Sequence, residues 1–403
     1  MNAIMTLDMN DSLDGQPEIA NLDQLIARRL EPHVAAIDLE GEYPREFLRS
    51  LGEIGGFAGV VSPEYGGNGL GLGHCLHVMD QIARSCLSTA FAVWCQTACQ
   101  RYLQLSGNDQ VKAAFLPDLA GGRLMGGTGL SNTLKANAGI ERALLKARRI
   151  PGGYEINGCL PWVSNLGPGH IFVTGCPLEG DGRLVFFVVD CDQTGFRLVD
   201  GARFAALEGT GTLACQFRNC RIEDHRVLAH AEDSEAYLAG IKPGMILGQM
   251  GMALGLVKGC IDLVDRSQSS LNQYLDDQAD DLRRVLQGVD DETHRLAGIL
   301  DRNPSAAIIG DVLKVRLAGS ELALRAAQAA MLHQGARGYM AHSAASSPPL
   351  RISSIDISLF LNYYLMTRGR FHPVCRAEHR SFRREQPAGA LHGCSALPEG
   401  QAS

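Results

Sequence analysis

The feature that most constrains this chain is a change of periodicity, made twice. From about residue 21 to residue 124, apolar residues recur at helical spacing. From about 126 to 230 they fall instead in short runs rich in Val, Phe, Ile and Thr, with turn residues between them. After Tyr237 the helical spacing returns. Few folds place a small sheet domain between two helical ones.

The first block begins with Asn21, placed to cap a helix whose inward residues are Leu22, Leu25, Ile26 and Leu30 and which ends near Pro32. A second helix starts at Pro44, shows Phe47, Leu48, Leu51 and Ile54 on one side, and stops at Gly55-Gly56. A longer pair follows over 73–85 and 87–103. The second of these is apolar nearly all round through Ala90-Phe91-Ala92-Val93-Trp94, which predicts a central position. In the middle block, 146–150 and 154–157 read as strands joined by Pro151-Gly152-Gly153, and further strands fall at 171–176, 184–190 and 212–219. Beyond it, 245–267 and 305–334 are long apolar helices with a charged helix hairpin over 274–301 between them, the pattern of an antiparallel bundle.

Composition narrows the functional classes. A net charge of −7 on 403 residues gives no electrostatic footprint for nucleic acid. No uninterrupted apolar run reaches the roughly 18 residues of a membrane span, and the first twenty residues hold acids but no Lys or Arg, unlike a secretory signal. The twelve cysteines are scattered through apolar stretches without a CxxC pair, which predicts buried free thiols and a cytoplasmic protein. The cluster His74-Cys75-Leu76-His77 has no second ligand group, so no metal site is expected. The acids at 276–281 and 290–292 read as a solvated face or loop, and the Gly-, Ala-, Pro- and Ser-rich stretch after residue 384 reads as a disordered tail.

Four local motifs then agree with one family. Val61-Ser62-Pro63-Glu64-Tyr65-Gly66-Gly67-Asn68-Gly69-Leu70 resembles a P-x-x-Y-G-G-x-G-(L/M) turn. Phe115-Leu116-Pro117-Asp118-Leu119-Ala120-Gly121-Gly122 resembles Y-L-P-x-L-A-x-G. Glu155-Ile156-Asn157-Gly158 with Pro161-Trp162-Val163-Ser164-Asn165 resembles x-L-N-G-x-K-x-W-I-(T/S)-N, and Leu332-His333-Gln334-Gly335-Ala336-Arg337-Gly338-Tyr339 resembles L-(H/L)-G-G-x-G-Y. In register over roughly residues 20–345, they resemble the acyl-CoA dehydrogenases. The resemblance implies an α+β chain with a flexible tail (1–20), an N-terminal helical domain (21–125), a small central β domain (126–232), a C-terminal four-helix bundle (233–384) and a second tail (385–403).

The same resemblance implies FAD, held between the β domain and the second helical domain and shared across a homodimer or homotetramer. Trp162 would be the wall facing the flavin, or else a hydrophobic plug of the sheet. Ser164 would meet flavin N5, and Leu130 and Ser131 its pyrimidine side. Arg266 would hold pyrophosphate, or else be a surface Arg. Gly335 and Gly338 would let backbone approach the cofactor, or else cap a long helix. Asn132, Thr133 and Ala136-Asn137-Ala138-Gly139 replace the family's Glu-Pro and A-G-S-D residues.

The reaction is left less constrained than the fold. Dehydrogenation of an acyl thioester between its α and β carbons, with hydride transfer to flavin N5, needs a carboxylate over the α carbon. Neither place where the family carries it has one here: 358–367 and 242–249 hold no acid. Asp356 is the candidate base, with a solvent-facing or helix-capping Asp its ordinary alternative. A monooxygenase of the same fold, using reduced flavin and oxygen, needs no such base. His170, His333 and His372 are present, but histidines so placed are more often structural or exposed. A catalytically silent binding subunit is the third reading.

Overall fold

A computed structural model describes residues 22–336, apart from 201, 202, 205 and 268. The expectations for Asn21, Gly338, Asp356, His372 and both tails therefore fall outside the described residues.

The first helix does not end near Pro32. Helix α1 (Leu22–Leu25) widens into a π turn over Ile26–Leu30, tightens to a 3-10 turn over Glu31–His33, and resumes as α2 (Val34–Leu39). Pro32 sits in the first turn of the 3-10 segment, where its missing N–H is not required, so it redirects the helix without stopping it. Leu22, Ile26 and Leu30 are buried as expected, whereas Leu25 is only half-buried. Pro44 stands at the N-cap of α3 (Arg45–Glu53), and Phe47, Leu48 and Leu51 are its buried face. Next come α4 (Leu72–Ala83), α5 (Leu87–Gln104) and α6 (Asp109–Ala120).

Helix α5 is central: fifteen of its eighteen residues are buried, so its polar side chains must find partners inside the protein. Gln96 does so at the junction with the β region. Its Nε2 donates to the carbonyls of Leu119 and Leu124, and its Oε1 accepts from the N–H of Gly126. One side chain thus ties the end of α6 to the start of the first strand.

The strands form two four-stranded sheets. β1 (Gly126–Thr128), β4 (Ile171–Pro177), β5 (Leu184–Asp190) and β8 (Val227–Ala229) pair in that order, with β1 parallel to β4. The other sheet runs β2 (Leu145–Ile150), β3 (Gly153–Val163), β7 (Leu213–Glu223) and β6 (Phe196–Val199). Phe172, Phe187, Phe217, Leu160, Ile156 and Val189 belong to their shared core. Strand β3 runs well past Asn157, through a register shift at Gly158, whose φ of 133° is open to glycine. The short strands β1, β6 and β8, and the helix α7 (Leu130–Asn137), carry too few residues to show a period.

Four helices follow: α8 (Ser234–Gly248), α9 (Met250–Arg266), α10 (Ala279–Arg302) and α11 (Ile309–Gln334). The expected hairpin over 274–301 is instead a 3-10 turn at Asn272–Tyr274 followed by the single 24-residue helix α10. Leu282, Leu286, Val289, Thr293, Leu296 and Leu300 keep one buried stripe along its whole length, so no reversal is needed. The apolar stretch 245–267 is divided at Gln249 between α8 and α9. Together Ser234–Arg266 are long and apolar enough to cross a membrane although charged residues interrupt them, and 94% of the most apolar window is buried inside the protein.

Asp290 departs from the solvated acidic face. It is partly buried and pairs with Lys258 (3.3 Å) and His294 (2.8 Å), while Lys258 also binds the buried Asp80 of α4. All ten cysteines among the described residues are free thiols, and only Cys159 is exposed.

Candidate functional site

The site grows from the end of β3. A register shift of β3 against β7 between Leu160 and Val163 lets both of those residues be buried and turns Trp162 outward, 62% exposed with an edge contact to Phe204 at 6.3 Å between ring centroids. Trp162 is thus not buried in the sheet interior. Ser164 is half-buried and bridges to Thr128 at the end of β1.

The backbone then turns sharply at Asn165, a buried residue with φ +63°, a left-handed conformation that Asn tolerates better than most side chains. All its polar groups are used. Nδ2 donates to the Gly126 carbonyl (2.8 Å), Oδ1 accepts from the Tyr43 hydroxyl (2.5 Å), and the N–H donates to the Thr210 carbonyl (2.9 Å). Its carbonyl oxygen lies 3.1 Å from His170 Nδ1. Burial raises the Tyr43 pKa strongly even though the Arg45 guanidinium opposes it, so the hydroxyl stays protonated and able to donate. Burial likewise lowers the pKa of His170 and favours its neutral form, in which Nδ1–H donates to the carbonyl. His170 is thus structural, its ring tilted against that of Tyr43 with centroids 5.8 Å apart.

Two further strips complete this edge. Gly129 opens α7 without a side-chain cap, so first-turn N–H groups near Leu130 and Ser131 have no side-chain acceptor. Leu130 is fully buried and anchors the helix, while Ser131 is exposed. On the other side, Thr212 at the start of β7 brings its hydroxyl to 2.6 Å from that of Ser164.

The remaining candidates lie elsewhere. Arg266 is exposed at the end of α9 and donates from Nε to its own helix at the Asp262 carbonyl (3.1 Å). It lines a cavity of about 250 Å³ with Asp23, Glu31, Arg84 and Asp262. Gly335, at φ +57° and ψ −136°, caps α11 with its N–H on the Leu332 carbonyl. His333 is buried, with Nε2 2.8 Å from the Asp277 carbonyl. Within one chain, Leu130, Ser131, Trp162 and Ser164 therefore gather at one end of the sheets, and Arg266 and Gly335 do not join them.

Sequence reasoning passed over Asn165 and Tyr43. The signal for Asn165 was present, since it closes the Trp162-Val163-Ser164-Asn165 motif. Nothing local marks Tyr43.

A flat aromatic face, an adjoining hydroxyl and uncapped N–H groups at a helix start suit a planar ring with polar edges. These residues fit a flavin. Among the described residues no group of His, Cys, Asp and Glu could hold a metal ion.

Comparison with known proteins supports the same reading. Residues 19–123 match the acyl-CoA dehydrogenase N-terminal domain. Benzylmalonyl-CoA dehydrogenase of Aromatoleum aromaticum is 29% identical over 252 residues, covering 61% of this chain and 66% of that protein. Mitochondrial isovaleryl-CoA dehydrogenase of Solanum tuberosum is 26% identical over 251 residues, 60% of each. The chain thus aligns with less than two thirds of the length of these relatives. The fold is shared more widely. Butyryl-CoA dehydrogenase from Megasphaera elsdenii superposes with a TM-score of 0.74 at 16% identity, covering 90% of this chain and 96% of that one. FMN-bound TdsC from Paenibacillus sp. A11-2 gives 0.70 at 16% identity, covering 80% and 88%. The matched N-terminal domain, the related sequences and the common fold make this chain similar to the acyl-CoA dehydrogenases, whose fold it shares.

Proposed function

We propose that the chain is a FAD-dependent oxidoreductase that dehydrogenates an acyl thioester between its α and β carbons. The observation that carries this reading is the pairing of an exposed Trp162 with a half-buried Ser164 on a strand end that Asn165 locks in place. Bound flavin supplies the two-electron acceptor that side chains lack. Trp162 covers one face of the ring, Ser164 meets its edge, and the N-terminus of α7 at Leu130 and Ser131 meets its polar carbonyls. Arg266 and Gly335, remote from that edge, serve a second copy of the chain in a homodimer or homotetramer. Proton removal from the α carbon is assigned to Asp356.

A second reading has one observation in its favour. From Ala236 to Ile261, through α8 and most of α9, the sequence holds no Asp or Glu. A flavin monooxygenase needs no carboxylate there, and FMN-bound TdsC shows that the fold accommodates a flavin.

The deciding experiment is the visible spectrum of the purified protein before and after anaerobic addition of a panel of acyl-CoAs. Bleaching of a yellow protein by one thioester supports dehydrogenation. A yellow protein that no thioester bleaches, but that consumes oxygen once reduced, moves the assignment to oxygenation. A protein that stays colourless with added FAD removes both readings in favour of a silent binding subunit.

A further inference from the structure

The Ser164 hydroxyl belongs to a chain of three. Its Oγ lies 2.6 Å from Thr212 Oγ1, which lies 2.7 Å from Thr210 Oγ1. Thr210 Oγ1 in turn lies 2.7 Å from the carbonyl oxygen of Leu207. That last contact sets the direction of the whole chain, because a carbonyl only accepts and each hydroxyl has a single proton. Thr210 donates to Leu207, so Thr212 must donate to Thr210, and Ser164 to Thr212. Three protons then make three hydrogen bonds.

The opposite arrangement is worse on two counts. If Ser164 alone turns its proton outward, two oxygens face each other at 2.6 Å with no hydrogen between them. If all three hydroxyls reverse, the Leu207 carbonyl loses its hydroxyl donor inside the protein. The anchor is also held firmly: Leu207 is buried with φ +62°, Thr210 is buried, and the Thr210 N–H donates to the same carbonyl (3.3 Å).

We propose that this one-way chain presents Ser164 Oγ to the candidate site as a hydrogen-bond acceptor, and that the group it recognises there is an N–H donor. Only the identity of the donor rests on the flavin reading above. Reduced flavin carries an N–H at N5, where the oxidised form has a lone pair. An accepting Ser164 therefore binds the reduced cofactor better than the oxidised one. Thr210 and Thr212 act as positioning residues, since they work only through Ser164.

Neutron diffraction from deuterium-exchanged crystals of the purified protein tests the direction without reference to any cofactor. The deuteron on Ser164 should lie between Ser164 and Thr212, and that on Thr212 between Thr212 and Thr210. A Ser164 deuteron pointing away from Thr212 overturns the inference. The midpoint potential of the FAD-loaded protein tests the consequence. Thr210→Val removes the anchor, so Thr212 turns its proton to Ser164 and Ser164 turns its own outward. The preference for reduced over oxidised flavin should then fall about tenfold, about 30 mV for a two-electron couple. Thr210→Ser, which keeps the hydroxyl, should restore the parent potential. An unchanged potential in Thr210→Val overturns the inference. Failure of the protein to take up FAD overturns the functional reading instead and leaves the neutron map to decide the direction.

Discussion

The hydroxyl of Tyr43 donates to Oδ1 of Asn165 across 122 residues of sequence, at 2.5 Å, and thereby joins the N-terminal helical region to the turn that ends β3. The Asn165 amide passes the link on to the carbonyl of Gly126 in β1. Removing the hydroxyl leaves Oδ1 facing a buried space without its donor.

Tyr43→Phe should therefore destabilise the protein by about 1–3 kcal/mol, the usual cost of stranding one buried polar partner. Chemical denaturation with Trp fluorescence as the probe measures it. A change within a few tenths of a kcal/mol would show that the link is not needed to hold the turn.

Trp162→Ala separates binding from folding. The indole is largely exposed, so the unfolding midpoint should scarcely move. FAD retention through gel filtration should fall, and the bound flavin spectrum should shift. Loss of stability with full FAD retention would reverse the roles assigned here.

The charged cluster joining α4, α9 and α10 gives a pH dependence. Facing one another there are Asp80 and His77 of α4, Lys258 of α9, and Asp290 and His294 of α10. The hydrogen bond that His294 donates to the Asp290 carboxylate raises the His294 pKa above 6.5, against the effect of burial. Burial alone would raise Asp290, but its bonds to His294 and Lys258 outweigh that and hold it below 3.8. A raised histidine stabilises the fold fully below its unfolded pKa and loses that contribution as pH rises through the folded value. A lowered aspartate contributes above its unfolded pKa and loses that contribution as pH falls through the folded value. The two overlap between 3.8 and 6.5. His294→Gln should thus cost most stability near the middle of that window and progressively less as pH rises past the folded His294 value. Urea titrations at several pH values would show it, and a pH-independent cost would rule the ion pair out as its source.

Gly255→Ala tests the contact between α9 and α4. A Cβ at Gly255 would stand 2.2 Å from the backbone oxygen of Asp80, which no side-chain rotation can relieve. Overpacking of this kind costs about 1–3 kcal/mol. A thermal melt matching the parent would mean that the two helices can slide apart freely.

Much of the fold was legible in the residues. The strands at 171–176 and 184–190 are continuous apolar runs bounded by turn residues, and the structure finds β4 and β5 there. Helix α5 is apolar nearly all round through Ala90–Trp94, and it is central. Where the chain was misread, a local signal competed with a longer one. The charged stretch 274–301 carried acids suggestive of a reversal, yet its buried stripe of Leu and Val continues unbroken through α10.

The sequence by itself thus determined which segments are helix and strand over their long, periodic stretches, and which residue types could meet a planar cofactor. It did so because burial repeats every two or 3.6 residues and leaves its mark on neighbours in the chain. Only the tertiary structure decided what Ser164 can do. Its partner Thr212 lies 48 residues away, and the carbonyl that orients both is at Leu207. A hydroxyl can donate or accept, and no pattern of neighbours states which. That is fixed when folding sets three hydroxyls in line with one buried carbonyl.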